Sequence, residues 1–254
     1  MGILSRSTLA LLLVACNSAA RAGDNESVTP YRPTVSTPAQ LPRPGQLEFE
    51  FGVLGANNPD GRRNTLPYTF KLAFDQDWGV LLEGDAYVAG PTGDGRERSF
   101  GDTGLVLKRA FIVDNATAYG LELTARLPTA RDALGSGKTD WTINTIWSQD
   151  LGALHVDLNL NGTRLGRPPS GASWLLMGAS AAFSRKIDKA WGATWELSGT
   201  RNRGSPSSAQ LLAAVTYAPD RNLVIDAGFA RGLTPGSPRW SFFTGFVVPL
   251  ARYW

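Results

Sequence analysis

From Gly45 to the end of the chain, apolar and polar side chains alternate in runs of about ten residues, the period-two pattern of β-strands. The first run sets Leu47, Phe49, Phe51 and Val53 against Glu48 and Glu50. The second sets Leu66, Tyr68, Phe70, Leu72 and Phe74 against Thr69, Lys71 and Ala73. Further strands are predicted near 78–89, 102–112, 116–128, 139–149, 153–164, 172–185, 190–201, 209–219, 222–232 and 240–253, separated by Gly, Pro, Asn and Asp clusters. That makes twelve, an even number, with 102–112 and 172–185 alternating least cleanly. A count of ten to fourteen strands is compatible with the pattern.

Alternation alone does not say which face is inside. A soluble sandwich or barrel buries its apolar face, whereas an outer-membrane barrel turns that face to lipid and keeps a polar interior. Glu48 and Glu50, interleaved with phenylalanines, fit the second arrangement better, because buried carboxylates need partners. Trp78, Trp141, Trp147, Trp174, Trp191 and Trp240 fall towards segment ends, where interfacial girdles place tryptophan. The chain closes on Phe246-Val247-Val248-Pro249-Leu250-Ala251-Arg252-Tyr253-Trp254, a strand running to an aromatic terminus like the signal read by the barrel-insertion machinery. The expected fold is all-β: a transmembrane antiparallel up-and-down barrel of about twelve strands over 45–254, in contact with outer-membrane lipid. Both termini are then periplasmic, and the outer loops are 55–65, 90–101, 129–139, 164–172, 202–208 and 233–239.

The start of the chain supports export. Residues 1–22 read as a signal peptide, with Arg6 as the positive region, Thr8 to Ala15 as a short apolar region and Ala20-Arg21-Ala22 as the cleavage pattern. A competing reading takes Leu13-Val14-Ala15-Cys16 as a lipoprotein signal, with Cys16 lipidated. Residues 23–44 carry prolines at 30, 33, 38, 42 and 44 and read either as an extended linker or as a plug folded back into the pore.

Composition narrows the chemistry. One Cys and one His in 254 residues exclude disulfide scaffolds and multi-histidine or multi-cysteine metal sites. The formal charge of +3 shrinks to 23 basic against 22 acidic residues once Arg6 and Arg21 leave with the leader, which gives nucleic-acid binding no support. No cofactor is expected.

Two stretches resemble a known family. Phe100-Gly101-Asp102-Thr103-Gly104-Leu105-Val106-Leu107-Lys108 looks like the GD-x-G-x-x-x-K strand of the outer-membrane family described as "putative MetA-pathway of phenol degradation". Leu127-Pro128-Thr129, followed by Leu134-Gly135-Ser136-Gly137-Lys138-Thr139-Asp140-Trp141, is similar to that family's strand end, glycine-rich loop and next strand. Leu158 to Thr163 is a third echo. The resemblance covers roughly 45–254 and implies a Gram-negative outer-membrane transporter for passive passage of small, hydrophobic or aromatic molecules; it carries no catalytic residue.

The face opposite the apolar one carries Glu48, Glu50, Glu83, Asp85, Glu122, Asp157, Glu196 and Asp226 against Lys71, Lys108 and Arg126, with His155 beside them. These are the candidate lumen-lining residues. They make either a cation-leaning pore or a web of ion pairs that fills a narrow barrel. Gly135 to Thr139 looks like a phosphate-binding loop, but Asp132 stands where its first glycine belongs, and a turn is the better reading. Asp102 and Asp140 are expected to pair with strand-end amides or basic residues. His155 with Asp157 is expected to line the lumen rather than catalyse. A non-conducting structural barrel and a lipid-modifying barrel enzyme are the rival readings.

Overall fold

The computed structural model describes residues 27–93 and 95–254; the leader, Cys16 and residues 23–26 lie outside the described residues. Thirteen strands form: β1 (Gln46–Asn58), β2 (Gly61–Ala73), β3 (Trp78–Thr92), β4 (Gly95–Ser99), β5 (Thr103–Ile112), β6 (Thr117–Leu127), β7 (Asp140–Leu151), β8 (Leu154–Arg164), β9 (Leu175–Lys186), β10 (Trp191–Asn202), β11 (Ser208–Asp220), β12 (Leu223–Gly232) and β13 (Trp240–Arg252). Each pairs antiparallel with its neighbours, and β1 pairs with both β2 and β13, so the sheet closes on itself. The wall is a twelve-strand barrel, and β4 is the extra strand.

Each predicted strand lies in this wall, the two weakly alternating ones as β5 and β9. Their irregularity has a local cause. Inside β5, Val106 packs with Leu81 and Tyr31, an apolar contact on a mostly polar face. Inside β9, Ser180 sits against Ser36, where only a small side chain leaves room.

Two predicted outer loops are not loops. Across 55–65 the β1–β2 ladder runs out to Asn58↔Gly61, leaving only Pro59 and Asp60 as the turn. Across 90–101, β3 continues to Thr92↔Gly95 and returns as β4. The pairs Val88↔Ser99 and Gly84↔Thr103 keep one register, so β4 is the outer continuation of the line of β5, interrupted at 100–102. Their residues are polar because a strand end that rises out of the bilayer meets water on both faces. The Asp-Gly pairs at 60–61 and 94–95 are hairpin-turn signals that the loop reading overlooked.

Four of the five turns at the end where β1 begins and β13 stops share one device. Asp75, Asp114, Asp188 and Asp220 each accept a backbone amide two residues on, at 2.7–2.8 Å. Amide donation from Ala116 and Thr117 holds the Asp114 carboxyl below its usual range, and Trp191 and Ala190 do the same for Asp188. At the opposite end the long loop 129–139 is tied down differently. Asp102 accepts Ser136 N at 2.7 Å and Ala130 N at 3.1 Å, and Leu134 is buried near Gly90 while Arg63 donates to its carbonyl. The amide of Ser136 is thus held by a carboxylate of the chain itself, which leaves the phosphate-loop reading without a site. Asp140 likewise accepts Gly166 N at 2.7 Å. Replacing Asp102 with alanine is expected to free this loop, so that trypsin cuts at Arg131 or Lys138 several-fold faster while the barrel's unfolding temperature barely moves.

The outer surface is apolar: Leu105, Leu121, Leu123, Ile143, Leu160, Leu197, Leu211 and Phe229 are all exposed. Trp78, Trp191 and Trp254 mark the terminus end of this band, and Trp141, Trp174 and Trp240 the other. Two aromatic rims flanking an apolar belt are what a bilayer selects.

Candidate functional site: the lumen and the segment inside it

Residues 27–44 run inside the barrel. The segment enters at the terminus end, where Val28 N donates to Arg221 O in the β11–β12 turn. It climbs to about half the strand height, bends at 33–37 and returns to start β1. Its prolines prevent it from pairing as a strand, so its remaining amides need other acceptors. The wall supplies them.

Two similar contacts organise the segment, each built on a Thr-Pro-X triplet. In the first, Thr29 N donates to the Glu48 carboxylate at 3.0 Å and Tyr31 N to Glu50 at 2.7 Å, on either side of Pro30. In the second, Thr37 N donates to Asn159 Oδ1 at 3.1 Å and Ala39 N to Ser148 Oγ at 2.8 Å, on either side of Pro38. A buried lysine answers each triplet: Lys71 donates to Thr29 O and Lys108 to Pro38 O. Between the two ammonium groups lies the ring of Tyr31, its centroid 4.4 Å from Lys71 Nζ and 4.2 Å from Lys108 Nζ, with its hydroxyl donating to Gln40 O. Cation–π contacts count for more when desolvated, and here both lysines are fully buried. Burial comes first in pushing the Tyr31 phenol well above its ordinary pKa, and the charges of Glu122, Glu50 and Glu48 push the same way.

The lysines also balance the acids. Lys71 Nζ lies 3.0 Å from Glu48 and 2.6 Å from Glu50, and Lys108 Nζ lies 2.9 Å from Glu122. Glu122 is held further by Asn144 and by the hydroxyl of Thr37. Higher in the lumen, Arg32 makes a two-point bond to Asp226, at 2.9 and 3.1 Å. Its guanidinium lies flat over Gly52 and Gly245, which face each other across β1 and β13. A Cβ at either glycine would stand 2.5–2.6 Å from the guanidinium, so both positions must lack a side chain for Arg32 to seat. Glu196 accepts the amide of Ser36 at 2.7 Å and has no basic partner among the described residues.

The predicted lumen-facing residues thus fall into two groups. Glu48, Glu50, Lys71, Lys108, Glu122, Asp157, Glu196 and Asp226 are buried around the inner segment. Glu83, Asp85 and Arg126 lie apart in the outer half, lining a cavity of about 440 Å³ with Arg63, Asp102 and Leu134. His155 is at the terminus-end mouth, on a cavity of about 580 Å³ between the wall and residues 30–38. Its Nδ1 is 2.6 Å from Asp150 and its Nε2 is 3.2 Å from Asp157. Ser148 donates to Asp157, not to His155, so a carboxylate stands where a Ser-His nucleophile pair would need direct contact. No group of three His, Cys, Asp or Glu side chains that could hold a metal occurs among the described residues.

Across from the charged cavity of Glu83, Asp85 and Arg126, one side of the outer half of the lumen is apolar. Leu212, Ala214 and Ala230 form a buried cluster with Phe243 packed against it. Solved structures of similar fold include outer-membrane channels and porins. The COG4313 outer-membrane channel of Pseudomonas putida F1 superposes with a TM-score of 0.63 at 13% identity, covering 84% of this chain and 98% of its own. The NanC porin superposes with a TM-score of 0.59 at 9% identity, covering 80% and 100%. The KdgM porin gives 0.58 at 9% identity, covering 80% and 99%. At such identities the likeness is one of fold. No family model and no curated protein matches the sequence, so the phenol-pathway resemblance rests on its short motifs alone.

Sequence reasoning missed Tyr31, Arg32, Ser36 and Thr37, and their acceptors Ser148, Asn159 and Ser180. One signal was present: eight acids against three bases on one face is a surplus of acceptors, and a surplus of acceptors implies donors from elsewhere in the chain.

Proposed function

We propose that this chain is a bacterial outer-membrane channel whose lumen residues 27–44 close, and that it passes a small hydrophobic or aromatic molecule when the segment yields. The observation that carries the reading is the chemistry of the plug's seat. Five backbone amides of a proline-rich segment are matched to side-chain acceptors on four different strands of the wall, β1, β7, β8 and β10. Such a seat is built mainly of polar bonds that water can replace, and withdrawal uncovers only two apolar contacts, Tyr31 with Leu81 and Val106 and Ala39 with Ala118 and Ile146. The apolar cluster on one side of the outer half gives an uncharged permeant a surface to slide on, opposite the charged cavity of Glu83, Asp85 and Arg126. The acidic face read from the sequence becomes the plug's receptor: Lys71, Lys108 and Arg32 neutralise most of it while the plug is seated.

The test is reconstitution of the whole protein. Planar-bilayer recordings are expected to show small, infrequent openings. Proteoliposomes are expected to take up a neutral aromatic solute faster than a sugar of similar mass. Equal exclusion of both solutes, with no openings, would favour the structural-barrel reading.

A further inference from the structure

Four exposed arginines stand at the ends of strands opposite the termini: Arg62 on β2, Arg164 on β8, Arg201 on β10 and Arg231 on β12. In each strand the residue next to the arginine points inward, so the arginine points out to the membrane side. Arg164 pairs directly with Trp141, and Arg231 stacks on the Trp240 ring at 4.7 Å, which places both at the level of the aromatic rim. None of the four has an acidic partner within salt-bridge distance among the described residues, whereas the lysines and the arginine inside the lumen, Lys71, Lys108 and Arg32, are each paired with a carboxylate. Asp140, beside the Trp141 that pairs with Arg164, is occupied by the amide of Gly166. On the terminus-end rim the corresponding outward arginines are Arg109 and Arg185, and Arg109 is covered by stacking on Trp78 and Phe111.

Alternate strands lie about 10 Å apart across the sheet, and the register sets Arg201 two residues along from Arg164 and Arg231 a further four, so β8, β10 and β12 carry the three arginines in a slanted row with steps of about 12 and 17 Å between backbones. The planar guanidinium fork matches a phosphate in two-point geometry, and a weakly hydrated cation next to tryptophan suits the headgroup level of a bilayer. Arg62 donates to Asn64 and Arg231 to the carbonyl of Arg239, but no carboxylate neutralises any of the four, and a row of such arginines on the lipid side of one rim has charge complementarity with a surface dense in phosphate. We propose that this rim binds the phosphates of phosphorylated glycolipids in the outer leaflet, using Arg164, Arg201 and Arg231 with Arg62 completing the girdle. The binding fixes the barrel's depth and holds lipid around the channel mouth. The inference rests on the outer-membrane reading above but not on conduction.

The experiment measures the unfolding temperature of the full-length protein in neutral detergent with added bis-phosphorylated lipid A. Controls are its dephosphorylated form, phosphatidylglycerol and inorganic pyrophosphate. The expected result is an upward shift with bis-phosphorylated lipid A only. The R164Q/R201Q/R231Q variant should lose that shift while keeping wild-type conductance, and R109Q/R185Q should keep it. A shift that survives in the triple variant, or that dephosphorylated lipid A or phosphatidylglycerol reproduces, overturns the proposal. Pyrophosphate alone producing it would make the rim a soluble-anion site and overturn the lipid assignment. Loss of conductance with lipid binding intact would count against the channel reading only.

Discussion

Replacing Arg32 with alanine is expected to convert a mostly closed barrel into one that opens readily. Asp226 has 1% of its side chain exposed when the segment is seated, and Arg32 is its charged partner. Removing one member of a buried pair costs about 3–5 kcal/mol, because the other charge stays desolvated. That cost falls on the seated state alone, since Asp226 meets lumen water once the segment withdraws. At about 1.4 kcal/mol per factor of ten, the balance moves toward the withdrawn state by about two to three and a half orders of magnitude. Single-channel recording of Arg32→Ala reads this directly as open time. The opened pore exposes Glu48, Glu50, Glu122, Glu196 and Asp226 against Lys71 and Lys108, so its reversal potential in a salt gradient should favour cations. Arg32→Ala combined with Asp226→Asn should close the channel again in large part. If the single variant opens no more often than wild type, the segment is not what closes the lumen.

Lys71→Met is the second large effect, and it strikes the wall itself. Lys71 alone neutralises Glu48 and Glu50, which lie with it inside β1 and β2. The variant leaves two carboxylates side by side with no cation and removes the donor to Thr29 O. A loss of about 3–5 kcal/mol is expected, visible as a lower temperature for the shift in gel mobility on heating. Adding Glu48→Gln and Glu50→Gln to Lys71→Met should restore most of it, since a buried cluster replaced entire costs far less than one half removed. A Lys71→Met barrel that melts like wild type would mean that water reaches this cluster and screens it.

The wall was legible because its rule is local. In Leu154 to Asn161 every second residue announces its face, and the pairing of β8 with β7 and β9 follows from order along the chain. The polar ends of β2 and β3 were not legible, because above the bilayer alternation loses its cause. Nor was the seat of the inner segment. Arg32 meets Asp226 across 194 positions, and Ser36 meets Glu196 across 160, with no periodicity to connect them. Proline content showed that residues 27–44 could form neither helix nor central strand, but a chain barred from pairing with itself can still be bound. The distinction lay in the wall's excess of carboxylates, a property of the receptor rather than of the segment.

The path of that segment has a mechanical consequence. It goes in and comes out by the same mouth, with Val28 held at the β11–β12 turn and Pro44 bridged to Ala73 at the foot of β2. It is a loop laid into the barrel, not a thread passed through it. A pull on the chain upstream of residue 27 therefore loads the contacts in series, first Thr29, then Tyr31, then Arg32, and no strand of the wall must part. Peeling bonds singly takes far less force than shearing them together, so if the segment closes the lumen as proposed, a tug from the terminus side is expected to release it at low force.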